Sequence, residues 1–265
     1  MKTILKKKDI LRIASFNILN GGEKRLKDIS KVIKEINPDV CGILEAVGWE
    51  KKKDYFKKFA NGLGYDFFNL AIANSKYNIA IFSKIPIKIK KIKKGIRHIV
   101  LEAIIDDGSF KKFNIFFVHF SPVSEDARLL EVEEILKYIK KDSKAIVIGD
   151  FNSLSASDSY DEKNLLKIFQ KNNIKKFGDN KLSFDVIKKI ESSGLVDTVD
   201  YLKCPFVATT PTSSNKDISH ATNIRLDYAF LTKNILKYLR KVKVLRNGIA
   251  DRASDHYPIF IELSK

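Results

Sequence analysis

Four apolar segments in the first 150 residues each run into a residue that can hold a metal or move a proton. ILRIASFN (Ile10–Asn17) ends on Asn17, and Asp39–Glu45 ends on Glu45. Phe113–Phe120 carries His119, and Ala145–Gly149 leads into Asp150. Later, Asp227 lies within RLDYAFL, and the pair Asp255–His256 stands directly before YPIFI. A β-sheet gathers strand ends that are hundreds of residues apart in sequence. A chain with this pattern is therefore expected to fold as packed strands whose ends meet at one polar place, the arrangement of a metal-dependent active site.

The segments between these strands read as helices. Leu26, Ile29, Val32, Ile33 and Ile36 follow helical spacing within Glu23–Ile36, and Pro38 stops the run. Tyr55, Phe56 and Phe59 give a second apolar face before Gly62 and Gly64. Further helices are expected at Asp126–Tyr138, Glu162–Phe169 and Ser183–Glu191, with strands at Asn78–Phe82, Ile85–Ile92, Ile96–Ile105, Arg225–Leu231, Lys241–Leu245 and Tyr257–Glu262. Asp107–Gly108 is a hairpin signal. The hairpin-like strands do not make eight regular strand–helix repeats, and two packed sheets with helices outside fit better. No low-complexity linker divides the chain, so residues 1–265 are expected to form a single domain.

Composition narrows the setting. Two cysteines, Cys41 and Cys204, support neither a disulfide-dense scaffold nor a four-thiolate zinc site. No apolar run approaches the ~18 residues of a membrane span, and the N-terminus lacks a signal-peptide core. A cytoplasmic protein is expected. Lys plus Arg number 49 against 32 Asp plus Glu, a net charge of +17. Such a surface attracts polyanions and binds them less tightly in salt. Lys84–Arg97 holds seven of these cations and no acid. It reads either as an approach surface for a polyanion or as a solvated hairpin.

The motifs suit phosphate-ester chemistry. In GDFN, Gly149 lets the backbone turn close to a ligand, and an extended backbone would aim Asp150 and Asn152 the same way while Phe151 packs inward. The carboxylate orients water or contacts a metal, and the amide donates to a phosphate oxygen. An Asx turn is the structural alternative. His119 and His256 lack the spacing of a compact zinc motif and suit acid–base work on either side of a phosphodiester. Asp227 can fix the tautomer of His256, or form a buried ion pair with Arg225. Arg97 offers a forked donor array for substrate phosphate.

Taken together, SFNILN, LEA, YNIAIFSKIPI, VHFSP, VIGDFN, RLDYAFLT and SDHYPIF resemble the endonuclease/exonuclease/phosphatase superfamily, most closely its pancreatic-type deoxyribonuclease and phosphodiesterase branches. The resemblance implies a four-layer α/β sandwich with two central mixed β-sheets and a divalent-metal phosphoesterase site. It places Asn17, Glu45 and Asp255 at metal positions, with Mg²⁺ or Mn²⁺ as cofactor. His119, Asp150, Asn152, Asp227 and His256 take catalytic positions, Asn152 also binding substrate.

Two departures stand out. His119 and Leu44 occupy places where abasic-site endonucleases of this superfamily carry tyrosine and glutamine, which points away from a dedicated repair enzyme. Residues 71–79 contain no acid, so the partner of His119 is open. The expected activity is phosphodiester hydrolysis, foremost as a DNA or RNA endonuclease with DNA slightly ahead. A phosphorylated lipid, small molecule or protein-linked ester is the alternative substrate, and a nonenzymatic nucleic-acid binder comes third. No protein partner is expected.

Overall fold

The computed structural model describes residues 10–106, 112–140, 142–220 and 222–265. The expected hairpin turn at Asp107–Gly108 lies outside the described residues. In chain order the strands are β1 (Ile10–Asn17), β2 (Val40–Leu44), β3 (Phe67–Ala71), β4 (Ile79–Ser83), β5 (Ile87–Ile92), β6 (Val100–Ile105), β7 (Phe113–His119), β8 (Ala145–Asp150), β9 (Leu195–Asp197), β10 (Asp227–Thr232), β11 (Leu239–Val244) and β12 (Ile259–Ser264). They form two six-stranded mixed sheets, ordered β11-β12-β1-β2-β4-β3 and β5-β6-β7-β8-β10-β9.

Helices cover the outer faces, as the four-layer expectation requires. α1 (Leu26–Ile36) buries Ile29, Val32, Ile33 and Ile36. It ends at Asn37, whose left-handed backbone (φ 50°) returns its N–H to Ile33 O before Pro38. α2 (Lys53–Gly62) buries Phe56 and Ala60. α3 (Glu125–Leu136) starts at Ser124, whose hydroxyl accepts from Ala127 N at 3.2 Å. α4 (Glu162–Lys171) and α5 (Asp185–Ser192) complete the longer helices. No described helix is long and apolar enough to cross a membrane.

The central core lies between the sheets. Ile13, Val40 and Ile261 from one meet Phe117, Ile148 and Ala229 from the other. Gly42 lets the sheets come close, since a Cβ there would lie 2.1 Å from Phe117 Cδ1. Among the described residues two strand pairs are parallel, β1 with β2 and β7 with β8, and α1 and α3 respectively provide their crossovers. Parallel strands finish at the same edge. The topology thus brings Asn17 beside the end of β2, and pairs His119 with Asp150 in register. β10 runs antiparallel to β8 and sets Asp227 opposite Asp150.

Two expected strands begin later than their apolar residues suggest. β5 starts after Pro86, and β6 starts at Val100, after a turn and bend over residues 93–99. Two strands fall outside the sequence expectations altogether. β3 is an edge strand with exposed Phe67, and β9 has only three residues.

Candidate active site

A cavity of about 590 Å³ opens where the strand ends converge. Its lining includes Asn17, Glu45, His119, Asp150, Asn152, Asp255 and His256. Asn17 is the clasp at its floor. Its Nδ2 donates to Glu45 Oε1 at 3.2 Å and to Asp150 Oδ2 at 3.1 Å, while its Oδ1 accepts from Leu19 N. Glu45 lies one residue past β2 at φ 58°, and Asn20 N donates to its Oε2 at 2.8 Å. Ser254 Oγ donates to Asn17 O and lies 3.2 Å from Asp255 Oδ1, tying the C-terminal acid to the same floor.

Gly149 makes the next position. Its φ is 151°, and a Cβ would lie 2.0 Å from Val118 O. Asp150 follows, and its Oδ1 accepts from Asn152 N at 2.8 Å. The expected extended backbone across Asp150–Asn152 is not what forms. Asn152 is left-handed (φ 50°), so the stretch is a local Asx-type turn, and that turn is what aims both side chains into the cavity. Phe151 packs away from it against Phe120, Tyr228 and Phe230.

Both histidines face Asp150. His119 Nε2 lies 3.6 Å from Asp150 Oδ2 and 3.8 Å from Glu45 Oε1. His256 Nε2 lies 3.8 Å from Asp150 Oδ2, and its Nδ1 is 2.8 Å from Asp227 Oδ2. Burial opposes the charged form of His256, but Asp227 and Asp150 outweigh it and raise its pKa well above the ordinary imidazole value. Burial likewise opposes the Asp150 carboxylate, yet His256 and His119 leave it below its ordinary value. Burial dominates at Asp227 and raises it.

Arg225 does not pair with Asp227. It is held by Asp158 at 2.9 Å and Asp197 at 2.8 Å, so the RLD motif divides between a buried structural ion pair and Asp227, which lies outside the cavity lining, buried behind His256. Arg97 is exposed, its backbone N–H donating to Glu131, and its side chain stands outside the cavity lining among the described residues. The wall is made instead by its neighbour His98. That imidazole packs against His119 with centroids 4.6 Å apart and the rings tilted by 31°, its Nδ1 lies 2.7 Å from Ser75 Oγ, and Tyr77 meets both rings edge-on. Burial, then His119, lowers His98 to about 3. His119 Nδ1 is buried with no hydrogen-bond partner among the described residues, so aromatic packing stands where an acidic partner was looked for.

Sequence reasoning also passed over Arg25, Lys176 and His220 in the lining. The basic stretch is partly tied down: Lys90 pairs with Glu102 and Lys91 donates to Leu70 O, while Lys93, Lys94 and Arg97 are exposed. Glu45, Asp150 and Asp255 with Asn17 make an oxygen-rich set, the donor chemistry of a hard divalent cation. Two other groups have donor atoms within 4.8 Å of one another: Asp150, Asp227 and His256, and His220, Asp255 and His256.

The sequence model of the Endonuclease/Exonuclease/phosphatase family matches residues 14–256, from β1 through His256. The chain belongs to this family. Its members are hydrolases of phosphate esters that depend on divalent metal. Solved structures share the fold over nearly the whole chain. An AP endonuclease from Archaeoglobus fulgidus is 19% identical with a TM-score of 0.72, covering 95% of this chain and 98% of its own. The 3′ phosphatase NExo from Neisseria, bound to a product DNA hairpin, is 15% identical with a TM-score of 0.74, covering 96% and 100%. A humanized D. rerio TDP2 is 18% identical with a TM-score of 0.64, covering 97% and 100%. No curated protein matches the chain by sequence.

Proposed function

We propose that this endonuclease/exonuclease/phosphatase family protein hydrolyses phosphodiester bonds within nucleic acid, DNA ahead of RNA, with Mg²⁺ or Mn²⁺ as cofactor. One observation carries the reading. A single carboxylate oxygen, Asp150 Oδ2, lies within 3.8 Å of two imidazoles and is clasped to Glu45 through Asn17. The +17 charge and the DNA-related neighbours support the polymer over a lipid.

Asp150, held as a carboxylate, accepts a hydrogen bond from the attacking water and aims its oxygen at phosphorus. Asn152 Nδ2 donates to Phe120 O at 3.0 Å and keeps a second hydrogen for a non-bridging oxygen. His256, proton-bearing and fixed by Asp227, binds another phosphate oxygen as negative charge grows. His119, whose Nε2 lies 3.6 Å from the same Asp150 oxygen, supports proton transfer at the leaving oxygen. Glu45, Asp150, Asp255 and Asn17 would hold the cation, which supplies charge neutralisation for the phosphate.

The test is a metal-supplemented cleavage panel of DNA, RNA, phosphoinositide, sphingomyelin and tyrosyl-DNA, with wild type beside Glu45→Gln. The expected outcome is cleavage of DNA by wild type and loss of Mg²⁺-dependent turnover in a folded variant. Lipid cleavage with intact DNA and RNA would replace this reading, and unchanged turnover in Glu45→Gln would remove its role.

A further inference from the structure

Helix α3 turns three charged residues inward. Glu125, Arg128 and Glu131 share one face at helical spacing, and all three are buried. Charged side chains are seldom buried unless they are paired, and these are paired largely with backbone beside the reaction centre. Arg128 donates to Ser121 O at 3.0 Å and to Ser153 Oγ at 2.8 Å. Glu131 Oε2 accepts from Ser121 N, and its Oε1 accepts from Arg97 N, each at 2.7 Å. Such short contacts are those of charge-assisted hydrogen bonds.

The two residues that Glu131 joins have a place in the sheet. β6 and β7 pair antiparallel from Ile105 with Phe113 to Leu101 with Phe117. Four more residues in that register would set Arg97 opposite Ser121. Among the described residues the ladder stops short of them, and a carboxylate from α3 stands where it would have run. On its other side β7 stays paired, for His119 is in register with Asp150 and Phe120 N donates to Asp150 O at 2.9 Å. The sheet therefore opens on the β6 side, and one carboxylate held by two N–H groups sets the width of the opening.

That opening seats two rings. His98 follows Arg97, and His119 lies two residues before Ser121. Their centroids are 4.6 Å apart. His119 Nδ1 and His98 Nε2 are both buried with no hydrogen-bond partner among the described residues. An imidazole at work is commonly oriented by a hydrogen bond on its far nitrogen. His119 has ring packing in that place, and the packing is only as fixed as the irregular segment that carries His98. Glu131 holds this segment from the helix side. Asn74 holds it from the exposed side, its N–H donating to His98 O at 3.0 Å and its Nδ2 to Ile96 O at 2.9 Å.

We propose that Glu131 is a positioning residue for the reaction: by bridging Arg97 N and Ser121 N it fixes the width of the β6–β7 opening and keeps the His98 ring against His119. Its effect on turnover rests on the reading of the site as a phosphodiester hydrolase, whereas the ring contact does not. A carboxylate suits the task because both of its oxygens accept. A glutamine of the same shape has one acceptor oxygen and turns an NH₂ toward the second N–H, so it releases one of the two segments.

The experiment pairs a contact measurement with a rate measurement on the full chain. The four histidines, His98, His119, His220 and His256, give a sparse set of imidazole proton signals in NMR. Wild type shows a nuclear Overhauser contact between the His98 and His119 rings, and another between His220 and His256, whose centroids are 5.1 Å apart. Glu131→Gln weakens the first and keeps the second. On an oligonucleotide diester, folded Glu131→Gln lowers kcat by about ten- to a hundredfold, the scale of a misplacement of about 1 Å, and changes KM little. In a His119→Ala background the same substitution costs little, because the ring it seats is gone. Asn74→Ala loosens the same segment from its exposed side. It gives the same pattern at smaller size and carries the test if Glu131→Gln does not fold. An unchanged His98–His119 contact in the folded variants overturns the proposal. So does an equal loss of kcat with and without His119, because Glu131 then acts on the fold at large. A lost ring contact in a protein whose wild type cleaves no phosphodiester overturns the hydrolase reading and leaves the bridge by Glu131 standing.

Discussion

Asp150 stands between two imidazoles, and the charge state of the cavity turns on it. Replacing His119 by Ala should lower turnover by roughly 10²–10⁴-fold, the usual worth of a placed acid–base group, and replacing His256 by Ala by about 10²–10³-fold, the worth of one charge-stabilising donor. The double variant should lose less than the product of the single losses if both act on one transition state. Steady-state rates on folded protein decide this, and wild-type turnover in both single variants would end the two-histidine mechanism. The same residues were legible in the sequence because each lies at or just past an apolar run, where a strand stops and its last side chain faces an edge. Lys176, His98 and His220 were not. Lys176 and His98 sit in irregular segments and His220 ends a single 3-10 turn (Ile218–His220), with no period to aim them, and the alternation that turns Arg97 outward and His98 inward is set by a bend rather than by a strand.

The strand ends that build the site depend on backbone that few residues adopt. Gly149→Ala would force a Cβ to within 2.0 Å of Val118 O at a φ of 151°. It should lower the melting temperature and, by shifting Asp150, reduce turnover of the fraction that stays folded. Gly42→Ala strikes the Phe117 ring instead and should destabilise by about 1–3 kcal/mol as overpacking. Its folded fraction should keep more turnover than Gly149→Ala, because Gly42 lies inside β2 rather than next to a cavity residue. Thermal melts and single-turnover rates on both variants separate the two effects, and a Gly149→Ala enzyme with wild-type rates would show that the turn tolerates repositioning. At this scale the long central strands were readable because burial fixes their composition. β3 and β9 were missed because the exposed Phe67 at an edge and a three-residue run leave no usable alternation.

Across the molecule, two electrostatic effects act on different quantities. The first is stability against pH. His256 has a folded pKa raised above its ordinary 6.5, so its contribution is full below that value and is lost as pH rises through the elevated folded pKa. Asp150 is depressed from 3.8, so its contribution is full above that value and is lost as pH falls through the lowered folded pKa. Asp227, raised by burial, costs stability above its ordinary value. Asp227→Asn is therefore judged by slope: the decline in melting temperature above pH 6.5 should flatten, and an unchanged alkaline slope would show that Asp227 does not hold the His256 proton.

The second effect is salt. The +17 charge is spread over exposed lysines such as Lys93 and Lys94, a few residues before His98 in the chain. If strands bind through them, the logarithm of the affinity should fall linearly with the logarithm of salt concentration, by about 0.7–0.9 per phosphate contacted. Folding rests on the apolar core between the sheets, which salt does not screen, so the melting temperature should hold over the range in which binding fades. Replacing Lys93 and Lys94 by Gln should make the salt slope shallower by about 1–2 contacts. Fluorescence anisotropy with short DNA and RNA, read beside thermal melts in the same buffers, checks both halves. An affinity indifferent to salt would place binding in the cavity alone and leave the basic surface without a part in it.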